Sequence, residues 1–136
     1  MNQTTLPSPL RVLLIDDSLQ VRQRLRNLIQ ESSQVQVVAE AGTVATALTQ
    51  FHIHGPDAVV LDLSLADGDG GSVLAEIKRL RPACVVVMLS LIATPECRDF
   101  CLGFGADYFF DKSRDFERVP AVLASLDTSN RGRANP

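Results

Sequence analysis

Short apolar runs alternate along the chain with stretches whose apolar residues recur every three or four positions. The runs read as strands: Arg11–Ile15 (RVLLI), Val35–Ala39 (VQVVA), Ala58–Asp62 (AVVLD), Cys84–Leu89 (CVVVML) and Asp107–Phe110 (DYFF). The periodic stretches read as helices at Leu19–Glu31, Val44–Phe51, Ser72–Leu80, Pro95–Leu102 and Asp115–Leu126. The first, third and fourth runs are apolar on both alternating faces, as strands are when a parallel sheet is covered on both sides. Alternating βα units with short connections predict an α/β fold, a doubly wound five-stranded parallel sheet with five helices.

Composition narrows this picture only a little. A chain of 136 residues, 46% hydrophobic and 21% charged, fits one globular domain, placed at 10–126. The flanks 1–9 and 127–136 are rich in Pro, Ser, Asn and Gly and are expected to be disordered. A net charge of −3 argues against nucleic acid and membrane as partners. No apolar run nears the roughly 20 residues of a membrane span, and the N-terminus lacks signal-peptide patterning, so a cytoplasmic location is expected. Cys84, Cys97 and Cys101 read as small hydrophobes; without a nearby His they make a poor zinc site.

The strand ends carry the chemistry. Doubly wound sheets bind ligands at the carboxyl ends of their strands. The first strand runs into Asp16 and Asp17, the third ends in Asp62, the fourth leads to Ser90 and the fifth leads to Lys112. Three carboxylates brought together would repel or hold protons unless a cation answers them. Oxygen-only ligands at a solvent-facing rim favour Mg²⁺ over zinc, and Lys112 adds a further positive charge. A carboxylate in that setting can attack phosphorus and carry a phosphoryl group as an aspartyl phosphate. Ser90 can then hydrogen-bond a phosphoryl oxygen and sense the added charge.

Five placed features, LLIDDS, VVLDLSL followed by DG, MLS, GADYFF and DKS, resemble the receiver domain of two-component response regulators, the stand-alone type similar to the chemotaxis response regulator. The resemblance covers roughly 11–126 and implies the flavodoxin-like receiver fold. It implies Asp62 as phosphoacceptor, Asp17 as a direct Mg²⁺ ligand, Asp16 acting mainly through metal-bound water, and the Ser64 backbone carbonyl as a further ligand. Ser90 is then the hydroxyl switch and Lys112 the phosphoryl contact. Phe109, three residues before the lysine, is the aromatic switch, expected to move between exposed and buried positions, with Tyr108 ordinary. A histidine kinase or phosphotransfer protein is the implied donor, and an unidentified protein the downstream partner. The chain departs from the family pattern at Ala66 and Ser113, where proline is usual, and at Leu91, where Ala or Gly is favoured. The bulk of Leu91 is expected to slow both entry and loss of the phosphoryl group.

Other readings stay beside this one. The Asp16-Asp17 pair also suits a helix N-terminus, Ser90 a cap, and Lys112 a solvated surface. Asp67, Asp69, Gly70 and Glu76 fall at calcium-loop positions, but Leu65 occupies the first ligand place and a strand precedes it, so a βα turn is preferred. His52 and His54 read as histidines at a helix C-terminus, and Arg22 and Arg26 as an i, i+4 pair. The alternative function is a receiver-fold interaction module never phosphorylated in use. An aspartate-nucleophile phosphatase of the haloacid-dehalogenase type ranks lower, because it wants an Asp at position 64, where this chain has Ser. The expected role is therefore signalling rather than enzymatic turnover.

Overall fold

The computed structural model describes residues 8–126, so the expected disorder of 127–136 and of most of 1–9 falls outside the described residues. The order is β1 (Leu10–Ile15), α1 (Leu19–Ile29), β2 (Val35–Ala41), α2 (Val44–His54) and β3 (Ala58–Asp62). A small hairpin of β4 (Ser64–Leu65) and β5 (Gly68–Asp69) follows, then α3 (Gly70–Leu80), β6 (Val85–Ser90), α4 (Pro95–Gly103), β7 (Tyr108–Asp111) and α5 (Arg118–Ser125).

Five strands form one parallel sheet in the order β2-β1-β3-β6-β7. The chain winds outward from β1 to β2, then crosses back to place β3 on the other side of β1. The switch in winding direction therefore falls between β1 and β3, where the connecting loops diverge and leave a crevice.

Alternation along the strands builds two apolar layers. Leu13, Ile15, Val59, Leu61, Val86 and Met88 face α2, α3 and α4, meeting Ala47, Phe51, Leu74, Ile77 and Cys101. Val12, Leu14, Ala58, Val60, Val87 and Leu89 face α1 and α5, meeting Leu25, Ile29, Val119 and Leu123. This is the both-faces burial that the unbroken apolar runs predict.

Local chemistry sets the helix ends. Ser18, Thr43, Asp69 and Thr94 each accept a backbone N–H at a helix N-terminus, and Gly55 ends α2 in the left-handed region at φ 50°. Helix α2 continues past the predicted Phe51 to His54, which puts both histidines in its last turn. Helix α5 begins at Arg118, three residues later than predicted, because Asp115 is occupied in a turn. Its carboxylate accepts the Asp111 N–H at 3.1 Å and its own N–H donates to the Asp111 carbonyl at 2.7 Å.

The opposite ends of the strands are closed by carboxylates with structural tasks. Buried Asp57, just before β3, accepts the Arg11 N–H at 2.9 Å, while its backbone bonds both β1 and β6. Asp57→Ala leaves that donor unanswered and is expected to cost about 1–3 kcal/mol in urea unfolding. Because Asp57 lies at the far end of β3 from Asp62, ligand binding at the Asp62 rim should be unchanged in the same variant.

Candidate functional site

Asp62 ends β3 at the switch point, and Asp16 and Asp17 follow β1 directly beside it. One carboxylate oxygen from each of Asp16, Asp17 and Asp62 lies within 4.8 Å of the others. Asp16 and Asp62 are buried, at 2% and 5% exposure, whereas Asp17 opens to solvent. At an effective dielectric of about 20, two such charges repel by about 3–4 kcal/mol, a large share of a domain's net stability.

Lys112 answers part of that charge. Its Nζ sits 2.6 Å from Asp16 Oδ2 and 3.0 Å from Asp62 Oδ2, bridging β7 to β1 and β3. The ammonium is placed by the Lys112 N–H, which donates to the Ser90 carbonyl at 2.8 Å and continues the β6–β7 ladder past its last pair. Burial works to lower the Lys112 pKa, but hydrogen bonds to Asp16 and Asp62 outweigh it and hold the ammonium above the ordinary lysine range. For Asp62, burial raises the pKa and the neighbouring Asp16 charge adds to the rise. Hydrogen bonds from Lys112 and the Ser64 N–H only partly offset them.

The remaining oxygens are oriented by backbone. Asp16 Oδ1 accepts the Ser18 N–H at 2.9 Å, and Asp62 Oδ1 accepts the Ser64 N–H at 3.2 Å. Helix α3 starts directly against the end of β3, where the Gly70 N–H donates to the Leu63 carbonyl at 2.6 Å. A Cβ on Gly70 would overlap the Asp62 carbonyl oxygen, so this close approach requires glycine.

A cleft of about 490 Å³ opens over Asp62, lined among others by Asp17, Ser64, Leu91, Ile92 and Lys112. Leu91, 71% exposed, forms part of its wall. Ser90 ends β6 at this rim, and its backbone is tied to Lys112, but its hydroxyl turns into its own loop. It donates to the Ile92 carbonyl and accepts the Ile92 N–H, each at 3.0 Å. Phe109 is buried in the layer facing α2–α4, its carbonyl accepting Arg98 Nη1 at 3.4 Å. Tyr108 lies half-buried, stacked on Phe110 at 6.2 Å. After Lys112, Ser113 uses the N–H that a proline would lack to bond Asp111 Oδ1 at 2.9 Å, and no peptide among the described residues is cis.

The calcium-loop carboxylates have other employment. Asp67 accepts the N–H groups of Val44 and Ala45 at 2.6 and 3.4 Å, so it serves the N-terminus of α2 across 23 positions of sequence, and Asp69 caps α3. Those backbone N–H groups hold the Asp67 carboxyl below the usual range. Sequence patterning does not reveal this contact, because the link is purely spatial.

The donor set has the chemistry of a hard-cation site. It comprises three carboxylates with no thiol or imidazole among them, one of them open to solvent, and two of them line the cleft. The residues present fit Mg²⁺.

The response regulator receiver domain model matches residues 12–124, and the chain belongs to that family. Among curated relatives, the protein-glutamate methylesterase/protein-glutamine glutaminase 2 of Xanthomonas oryzae is 37% identical over 87 residues, 64% of this chain. This chain spans only 24% of that relative's length. Chemotaxis protein CheY of Bacillus subtilis is 28% identical over 109 residues, covering 80% of this chain and 90% of the relative. The solved CheX–CheY–BeF₃–Mg²⁺ complex from Borrelia burgdorferi contains a chain similar to this one at 26% identity. It superposes with a TM-score of 0.74 over 90% of this chain and 95% of that one. The response regulator domain of Thermotoga maritima CheB shares the fold at a TM-score of 0.77 and 24% identity, over 94% of this chain and 98% of that one.

The raised Asp62 pKa has a sign that can be tested. The folded state holds this proton more tightly than the unfolded chain does, so ionisation of Asp62 opposes folding. That cost is present above the raised folded value and absent below the ordinary carboxylate value of about 4. In metal-free buffer Asp62→Asn is therefore expected to melt at a higher temperature than wild type at pH 7. The gap should close as pH falls below about 4. Equal melting temperatures at pH 7 would contradict the assignment.

Proposed function

We propose that residues 10–126 act as a phosphoacceptor receiver in which Asp62 takes a phosphoryl group from a phosphohistidine on a histidine kinase or phosphotransfer protein. The observation that carries this reading is the Asp62 carboxylate at the floor of an open cleft, beside two further carboxylates and bonded to the Lys112 ammonium.

An Asp62 oxygen attacks phosphorus, the P–N bond to the donor imidazole breaks, and the electron pair returns to the ring nitrogen. Lys112 stays in contact with the oxygens of the transferred group and offsets their charge. Asp17, Asp62 and the Ser64 backbone carbonyl would hold Mg²⁺, with Asp16 acting mainly through metal-bound water. When bound, the ion supplies further positive charge against the phosphoryl oxygens. A relative solved with both Mg²⁺ and BeF₃ favours this choice of metal. The role is that of a phosphorylated signalling protein in the cytoplasm, read out by protein–protein contact.

The charge change has a receiver in the loop after β6. Ser90 is bonded to Ile92 in the present arrangement and Phe109 is buried, and these positions suit the unphosphorylated state. A phosphoryl oxygen on Asp62 offers the Ser90 hydroxyl a charged acceptor in place of a neutral carbonyl, a stronger bond. Movement of Ser90 toward Asp62 would draw the loop after β6 and free Phe109 to change place.

Acetyl phosphate with Mg²⁺ is expected to add one phosphate, read by intact mass, and Asp62→Asn to abolish the gain. Absence of labelling from any phosphodonor would count against the whole reading. Leu91, on the cleft wall, is expected to slow traffic to Asp62. Leu91→Ala should speed both phosphorylation and loss of the phosphoryl group several-fold, and unchanged rates would remove Leu91 from the mechanism.

A further inference from the structure

Asp17 is the carboxylate with the least support of its own. Among the described residues it makes no hydrogen bond or ion pair through its side chain, and it is exposed, so its place in the cluster comes from the backbone that carries it. That backbone is held from behind. The Asp16 N–H donates to the Ala41 carbonyl at 3.0 Å, and the Asp16 carbonyl, which belongs to the Asp16–Asp17 peptide, accepts Arg22 Nη1 at 2.6 Å. Arg22 is fixed in turn, because its Nε donates to Glu40 Oε1 at 2.9 Å and both side chains are mostly buried, at 17% and 20% exposure. Glu40 lies on β2 opposite Leu14 of β1 and is shared with Arg26 at 2.6 Å.

Space is tight at the turn after β2, where Gly42 adjoins the Arg22 guanidinium. A Cβ on Gly42 would stand 3.2 Å from Arg22 Nη1 and 3.7 Å from the Asp16 carbonyl oxygen. Burial works against the Glu40 charge, but hydrogen bonds from Arg26 and Arg22 outweigh it and keep this carboxyl below its usual range.

We infer that the Arg22–Glu40 pair is a positioning device for the metal site: by holding the Asp16–Asp17 peptide, it sets where the unsupported Asp17 carboxylate stands relative to Asp62. The inference rests on the reading of this cluster as a Mg²⁺ site. Two physical effects oppose each other here, and their sign separates positioning from simple charge. Removing a cation near a cation site should, by Coulomb's law alone, leave Mg²⁺ binding equal or tighter. Losing the hydrogen bond that orients a ligand should weaken it, by about 10- to 100-fold for supporting partners of metal ligands.

The test is a Mg²⁺ titration of the full chain followed by amide ¹H–¹⁵N shifts, with folding checked by urea unfolding. Wild type is expected to bind, Asp17→Asn to lose binding, and Arg22→Ala to weaken it tenfold or more. Arg26→Ala, which loses a Glu40 contact but no bond to Asp16, should stay within about twofold of wild type, because the Arg22 bonds to Glu40 Oε1 and to the Asp16 carbonyl are retained. Should Arg22→Ala fail to fold, Arg22→Met keeps the aliphatic stem and carries the same expectation. Affinity in the Arg22 variant equal to or tighter than wild type would overturn the inference while leaving the functional reading intact. So would an equal loss in Arg26→Ala, which would assign the effect to general packing of α1 on β2. A wild-type chain that does not bind Mg²⁺ would overturn both.

Discussion

The ammonium of Lys112, held 2.6 Å from one carboxylate and 3.0 Å from another, is the contact on which the rest of the rim depends. Without it, Asp16 and Asp62 would face each other buried and unanswered, and the domain would lose several kcal/mol or take up protons. With it, the balance is deliberately incomplete. One ammonium cannot neutralise three carboxylates, and the raised pKa of Asp62 reflects its burial first and the neighbouring Asp16 charge second. That excess of negative charge is the feature on which the proposed cation site and the proposed chemistry at Asp62 both rest.

The architecture exists to hold this imbalance at one place. Two apolar layers lock the five parallel strands, and the winding switch between β1 and β3 brings Asp16, Asp17 and Asp62 to a common crevice. Behind the crevice, Arg22 and Glu40 brace the first loop, and Gly70 lets α3 close directly against the end of β3. At the opposite rim, Asp57 and Asp107 answer strand N–H groups that would otherwise be buried and unpaired. The same residue type thus serves structure at one end of the sheet and carries an unspent charge at the other.

Much of the fold was legible because strands covered on both faces leave unbroken apolar runs. Ala58–Asp62 was readable to the residue, and the other strands to within two. The positions of Asp16, Asp17, Asp62, Ser90 and Lys112 were legible for a simple reason: in a parallel sheet every strand end lies on one side. What stayed hidden was spatial or rotameric. The β4–β5 hairpin spans six residues with no period to detect, and Asp67 reaches α2 across 23 positions. Arg22 meets Glu40 across 18, so it read only as half of a pair with Arg26. The Ser90 hydroxyl could be placed at the rim, but its turn toward Ile92 depends on a side-chain rotation that composition does not encode.

The central claim is that this charge imbalance makes one carboxylate, and not its neighbours, the acceptor. The most direct measurement is site mapping: treat the chain with a phosphodonor and Mg²⁺, reduce the acyl phosphate with borohydride, and locate the resulting homoserine by peptide mass spectrometry. Homoserine at position 62 alone is the expected result. Homoserine at position 16 or 17, or none at any position while the wild-type chain remains folded, would contradict it.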